Sequence, residues 1–97
     1  MFEIIFTIEA IEDLRWFKKV ERRKILTGLE SQLSHEPAVE TRNRKRLRPN
    51  KLAEWELRLG RFRVFFDMDQ ENRLIQVEAV GYKRGSRLFI HGREYEL

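Results

Sequence analysis

Ninety-seven residues, 41% of them hydrophobic, predict one domain spanning residues 1–97 with a single compact core and no disordered tail. The absence of cysteine excludes a disulfide scaffold, a thiol nucleophile and thiolate-bound zinc or iron–sulfur centres. No apolar run approaches the roughly 18 residues a membrane helix needs, and Met1-Phe2-Glu3-Ile4 lacks a signal-peptide start, so a cytoplasmic protein off the membrane is expected.

The net charge of +4 is unevenly spread. Residues 1–40 hold six basic and eight acidic side chains, and residues 41–97 hold fourteen and eight. The second half is therefore +6, mostly through arginine, which suits phosphate or carboxylate recognition.

In chain order, Phe2, Ile4, Phe6 and Ile8 alternate with Glu3, Ile5 and Thr7, a strand over 2–8. From about Glu9 the period lengthens. Ala10, Ile11, Leu14 and Phe17 predict an amphipathic helix to about Lys18, with acids at its start and lysines at its end. A second helix from about Glu21 to Ser34 carries Ile25, Leu26, Leu29 and Leu33, and Pro37 stops it. The pair forms a helical hairpin that must bury its stripe on a sheet. A weak edge strand lies near Leu47. Trp55, Leu57 and Leu59 then alternate with Glu56 and Arg58, and Phe62, Val64, Phe66 and Met68 with Arg63, Phe65 and Asp67. Asp69–Asn72 is a polar turn, and Arg73–Tyr82 a last strand with Ile75, Val77 and Ala79 on one side and Gln76, Glu78 and Val80 on the other. The order predicts an α+β fold: a mostly antiparallel sheet of four to five strands with the N-terminal strand and the helical hairpin packed on one face.

Gly60-Arg61 reads as a two-residue type II′ turn, which sets Leu57 opposite Val64, Trp55 opposite Phe66 and Arg58 opposite Arg63. The arginine pair falls on the face away from the helices, together with Glu56 and Glu78. A turn at 69–72 sets Arg63 opposite Glu78, and one at 71–72 sets it opposite Val80, with the same facing either way. Like charges across a strand pair disfavour the sheet by about 0.2–1 kcal/mol. Two readings stay open: acids neutralise the pair, or an anion binds there. Beyond the last strand, Gly81 and Gly85 bracket Lys83 and Arg84, and the apolar Leu88-Phe89-Ile90 docks the segment that carries Arg87. The densest basic run, Arg42, Arg44, Lys45, Arg46 and Arg48, is a candidate phosphate footprint extended by Arg61 and Arg87.

Trp55-Glu56-Leu57-Arg58-Leu59-Gly60-Arg61-Phe62-Arg63-Val64-Phe65-Phe66, followed by Val80-Gly81-Tyr82-Lys83-Arg84, resembles the RelE/ParE superfamily of toxins from type II toxin–antitoxin modules. The helix pair and the basic run ending Arg46-Leu47 extend the likeness over essentially the whole chain. It implies the toxin of such a module, with an acidic antitoxin as partner and one of two activities. RelE-type members are metal-independent endoribonucleases that cut mRNA at the ribosome; ParE-type members inhibit DNA gyrase. Carried over by position, Arg58 and Arg63 match basic nuclease positions on adjacent strands, and Lys83 or Arg84 matches the basic residue after Val-Gly. Glu56 stands where some members carry a lysine and others a glutamate base. No histidine follows Val80-Gly81, and Phe89 stands where RelE-type enzymes often carry tyrosine or histidine, so a gyrase inhibitor or a weakened toxin remains an alternative. A basic RNA-binding module without catalysis is the third.

The implied chemistry needs no metal or cofactor. The RNA 2′-OH attacks the adjacent phosphorus once a base takes its proton, guanidinium groups stabilise the added charge, and an acid protonates the leaving 5′-oxygen. The residues assigned are Arg63 and Arg58 as phosphate clamps, Glu56 or Lys83 as base, and Arg84 or Lys83 as acid or electrostatic helper. His35 and His91 are read as structural or surface residues. No carboxylates cluster with histidine in the sequence to suggest a metal.

Overall fold

The computed structural model describes residues 1–97. The elements are β1 (Glu3–Phe6), α1 (Ile8–Arg15), α2 (Lys19–Leu33), β2 (Arg44–Arg46), β3 (Trp55–Leu59), β4 (Phe62–Asp69), β5 (Leu74–Arg84), β6 (Arg87–Ile90) and β7 (Arg93–Glu94). Six strands run β2-β3-β4-β5-β6-β7, each antiparallel to its neighbour, and β1 adds to β5 in parallel. The α+β architecture is as expected, with more strands than the four to five read from sequence. The surplus comes from the C-terminal segment. Its apolar residues do dock, but as two short strands that extend the sheet. No helix is long and apolar enough to cross a membrane.

The helices start where side chains satisfy their free N–H groups. Thr7 Oγ1 accepts from the Ala10 amide at 3.1 Å, so α1 begins at Ile8, which leaves the strand and is exposed. The Glu21 carboxylate accepts from the Lys18 amide at 3.1 Å at the head of α2. Ala10, Leu14, Phe17, Ile25, Leu29 and Leu33 pack on Leu57, Val64, Phe66, Ile75, Val77 and Val80, which is the main core. Ile11 and Leu26, expected on the buried stripes, are 42% exposed. On α1 the inward position is taken by Asp13, a carboxylate only 5% exposed.

β5 explains why a charge is buried there. One edge of this strand pairs with β4 along its length. The other edge is shared: β1 takes Leu74–Val77 and β6 takes Gly81–Arg84. Residues 78–80 lie between the two partners. Thr7 closes the gap from one side, donating its amide to Val77 O at 3.1 Å and its hydroxyl to Val77 O and Glu78 O. Asp13 closes it from the other, accepting from the Val80 amide at 3.0 Å and from His91 Nδ1 at 3.3 Å. Burial raises the Asp13 carboxyl, while the Val80 amide and His91 hold it down.

The Gly60-Arg61 turn and the β3–β4 register are those the sequence predicts, with Gly60 at φ +60° and Arg58 opposite Arg63. The β4–β5 register is not. Asp69 pairs with Leu74 and Phe66 with Val77, but Phe65 pairs with Ala79, so Glu78 is an extra residue in β5, a β-bulge. Arg63 therefore lies opposite Gly81, not Glu78 or Val80. An unpaired residue shifts the alternation by one. From Ala79 onward every side chain changes face: Val80 and Tyr82 turn into the helix-side core, and Ala79 joins Phe65 and Leu88 on the other face.

Two outcomes follow for this strand. Asp13→Ala strips a buried amide of its acceptor and should cost about 1–3 kcal/mol. That corresponds to roughly 4–8 °C of melting temperature per kcal/mol at this size, and Val80 amide exchange should speed up in parallel. Glu78 sits beside Asp67 at the bulge, and burial first, then Asp67, raises its carboxyl. A carboxyl raised in the folded state contributes stability at acid pH and loses it as pH rises through the raised value. Glu78→Gln should therefore melt above the native protein at neutral pH, with the advantage vanishing on acidification; a pH-independent difference would refute this account.

Candidate catalytic and nucleic-acid-binding face

The face away from the helices carries the cations in an ordered register. One row across the sheet reads Arg58, Arg63, Gly81, Ile90 and Arg93, and the next reads Lys45, Glu56, Phe65 and Ala79. The Arg58 amide donates to Asn43 O, just before β2, at 2.7 Å, so its bonds point away from β4. Arg58 and Arg63 thus form a non-hydrogen-bonded pair, the closer kind, with Cα atoms about 4.5 Å apart. Phe65, Ala53, Ala79 and Leu88 make a small second core on this face, with Leu52, Ile90 and Tyr95 against it. The face is therefore partly roofed, and burial reaches Glu56 and Arg63 while Arg58 stays exposed.

Glu56 is 4% exposed, with Oε1 at 3.8 Å from Arg58 Nε. Arg63 is half-buried. Its Nη1 donates to Gly60 O at 2.7 Å and Phe62 O at 2.9 Å, and its buried Nε has no partner. Burial pulls its guanidinium below the ordinary value, Glu56 pushes it back up, and Arg58 pulls it down further. A cleft of about 470 Å³ opens beside this group, bordered by Glu56, Lys83, Arg87, Leu88, Glu94 and Tyr95. Lys83 reaches it because the bulge turns Lys83 to this side, opposite Leu88 of β6. Gly81 allows that strand to approach, since a Cβ there would lie 2.3 Å from Phe89 O. Arg87 is tied to Glu94 at 3.4 Å. Glu56, Arg58, Arg63, Lys83 and Arg87 are thus brought together.

Three predicted residues are not. Arg84 turns the other way, into a notch beside Trp16 and Phe17. Its place at the strand end follows the expectation, but its side does not, because the bulge shifts the alternation by one and puts Arg84, with Val80 and Tyr82, on the helix side. Arg61 leaves the turn toward the helices, pairs with Glu21 at 2.5 Å, and lies over the Phe62 and Tyr82 rings at 4.8 and 5.3 Å. Arg44 is 8% exposed and does not join the phosphate footprint: its Nη1 donates to Gln32 O and Glu36 O, each at 2.9 Å, capping the end of α2. Arg42, Lys45, Arg46 and Arg48 remain on the surface, with Arg46 at 3.7 Å from Glu54. Asn50 fixes the loop after them, donating to Arg48 O and Ala53 O and accepting from Leu52 and Ala53 amides.

The Asp13–His91 pair went unread, because nothing in the local pattern marks Asp13 as inward-facing and His91 lies 78 positions away. Tyr95 was visible only as a late aromatic.

No protein-family model matches the chain, and no curated protein matches it in sequence. Solved structures do. The chain is similar to one in the toxin–antitoxin complex RelBE2 of Mycobacterium tuberculosis, with TM-score 0.74 and 23% identity over 84% of this chain and 91% of that one. It is also similar to one in the archaeal RelE–RelB complex of Pyrococcus horikoshii, with TM-score 0.67 and 19% identity over 87% and 96%. The fold is that of RelE toxins.

The division of the basic run has a direct consequence. Arg44→Ala should lower the melting temperature, through about 1–3 kcal/mol for the two carbonyl hydrogen bonds lost. Arg42→Ala and Arg48→Ala should leave it within about 0.5 kcal/mol of the native protein. Equal thermal melts for all three would show that Arg44 is not a helix cap.

Proposed function

We propose that this protein is the toxin of a toxin–antitoxin pair and a metal-independent endoribonuclease that cuts mRNA at the ribosome. One observation carries the reading: on a RelE fold, a half-buried arginine and an exposed one stand side by side with a buried carboxylate and a lysine-lined cleft. Arg63 and Arg58 hold the scissile phosphate and stabilise the charge added as the 2′-oxygen attacks phosphorus. Glu56 takes the 2′-hydroxyl proton, and its contact with Arg58 aims it at the clamped phosphate. Lys83, across the cleft, gives a proton to the departing 5′-oxygen, and the RNA ends in a 2′,3′-cyclic phosphate. Arg42, Lys45, Arg46 and Arg48 supply sequence-independent affinity for the RNA backbone. The Phe at position 89 does not weaken this assignment, because the Phe89 ring stacks on Tyr82 at 5.4 Å, on the opposite side from the cleft. The partner that restrains the activity is an acidic, amphipathic antitoxin segment, consistent with the RelB-bound state of both similar structures.

Ribosome-dependent mRNA cleavage tests the reading. Arg63→Ala should cut the rate at least about 10²-fold, the scale of losing a preorganised donor to transition-state charge. Its two carbonyl bonds make the stability loss about 1 kcal/mol, too little to unfold the chain. Arg63→Lys should fail in the same way, since a point charge does not replace a planar fork. Cleavage undiminished in Arg63→Ala would place the chemistry elsewhere. Intact mRNA together with loss of gyrase supercoiling would make the protein a gyrase inhibitor.

A further inference from the structure

Lys83 lines a second depression besides the Glu56 cleft, and is the one residue the two share. This notch, of about 400 Å³, is walled by Trp16, Phe17, Lys18, Arg61, Tyr82 and Arg84, with Glu21 as its one acid. Trp16 is 54% exposed. One side of its indole is packed: the ring lies 5.4 Å from the His91 imidazole, and a Cβ on Gly92 would come within 2.3 Å of Trp16 Cζ2. The β6–β7 turn thus fixes the indole while half of its surface stays in solvent. An aromatic ring held rigid, half-exposed and surrounded by four cations offers a π-face to a base and charge to the adjoining phosphates. Arg61 is already committed to Glu21 and Lys83 serves the Glu56 cleft, so Lys18 and Arg84 are the cations left for phosphate.

We infer that this notch is a second RNA subsite: a single-stranded nucleotide next to the cleaved one crosses the end of β5 at Lys83, stacks its base on Trp16 and sets its phosphate between Lys18 and Arg84. The inference rests on the proposed nuclease reading for its substrate. It explains what Arg84 does once it is turned away from the Glu56 cleft. It also makes the site sequence-tolerant, because every base has a π-face to stack.

The test uses short single-stranded RNA protected from cleavage by 2′-O-methyl groups, and a second series in which one abasic residue is moved along the strand. Trp55 is only 6% exposed, so RNA-dependent quenching of the emission reports Trp16. Native protein should show that quenching. Trp16→Ala should bind the RNA about 5- to 150-fold more weakly, the range of one base–aromatic stack. Trp16→Leu keeps apolar packing on Gly92 and should lose the same factor without a shift in melting temperature. One abasic position should weaken native binding by that factor and leave Trp16→Leu unaffected. Arg84→Ala should lower the salt slope by roughly 0.7, the value of one phosphate contact on a single strand. RNA bound with equal affinity by the native and Trp16→Leu proteins, while native protein still cleaves mRNA, would overturn the subsite and leave the nuclease reading standing. Absence of both RNA binding and cleavage would overturn the two together. Loss of antitoxin affinity alone in Trp16→Leu would assign the notch to a protein partner instead.

Discussion

The rest of the molecule depends on how the second edge of β5 is closed. A parallel strand from the N-terminus and an antiparallel hairpin from the C-terminus both need that edge, and neither reaches residues 78–80. A backbone stretch buried without partners is not tolerated, because each orphaned group costs about as much as a lost hydrogen bond. α1 solves this with its own residues. Its cap, Thr7, bonds to Val77 and Glu78, and Asp13, nearly two turns on, takes the Val80 amide. The buried carboxylate is the consequence of this solution, and His91 supplies the compensating contact. One interaction thus joins the N-terminal helix, the central strand and the C-terminal hairpin, and it fixes the turn on which Trp16 rests.

The bulge at Glu78 falls in this same unpaired stretch, where an extra residue breaks no pairing to β1 or β6. Its effect on the candidate site is through parity. Without it, Val80 and Tyr82 would stand on the arginine face and Lys83 would point to the helices. With it, Val80 fills the main core, Tyr82 packs on Phe17 at 6.1 Å, and Lys83 borders the cleft with Glu56. The site is therefore assembled by a single register change. Bulges recur beside functional sites because they re-aim side chains without unfolding the strand.

This also marks what could be read from the residues. The β3–β4 hairpin was legible because Gly60 fixes the turn and the turn fixes the register, so Arg58 opposite Arg63 follows from local chemistry. The helices were legible from periodicity, with starts misplaced by one or two residues where Thr7 and Glu21 act as caps, and α1 stopping at Arg15, three residues short of Lys18. The β4–β5 register was not legible, because the bulge answers a constraint imposed by α1, β1 and β6, all distant in sequence. The same holds for Arg44. Five cations in seven positions look equivalent along the chain, and only the return of the strand past the end of α2 singles out one of them as a cap. The C-terminal strands were read as a docked tail because β6 and β7 are four and two residues long, too short for alternation to declare them.

The electrostatics of the arginine pair carry the argument from fold to function. A sheet that needed only stability would not place two guanidinium groups in the closest type of cross-strand pair and leave a buried Nε of one without a partner. Glu56 relieves part of the repulsion, yet it is one carboxylate against two arginines with Lys45 opposite in register and Lys83 at the shared cleft. Three other acids are engaged with their own partners: Glu78 is turned to Asp67 and Gln76, Glu21 holds Arg61, and Glu94 holds Arg87. The remaining positive charge is held in place by the sheet and by two carbonyls of the adjoining turn. It costs no reorganisation when an anion arrives, and it acts in a partly desolvated setting where each charge counts for more than in water. In the proposed reading, the anion these two guanidinium groups receive is a phosphodiester. In the proposed nuclease, the repulsion between Arg58 and Arg63 is the preorganisation that a phosphate transition state would use.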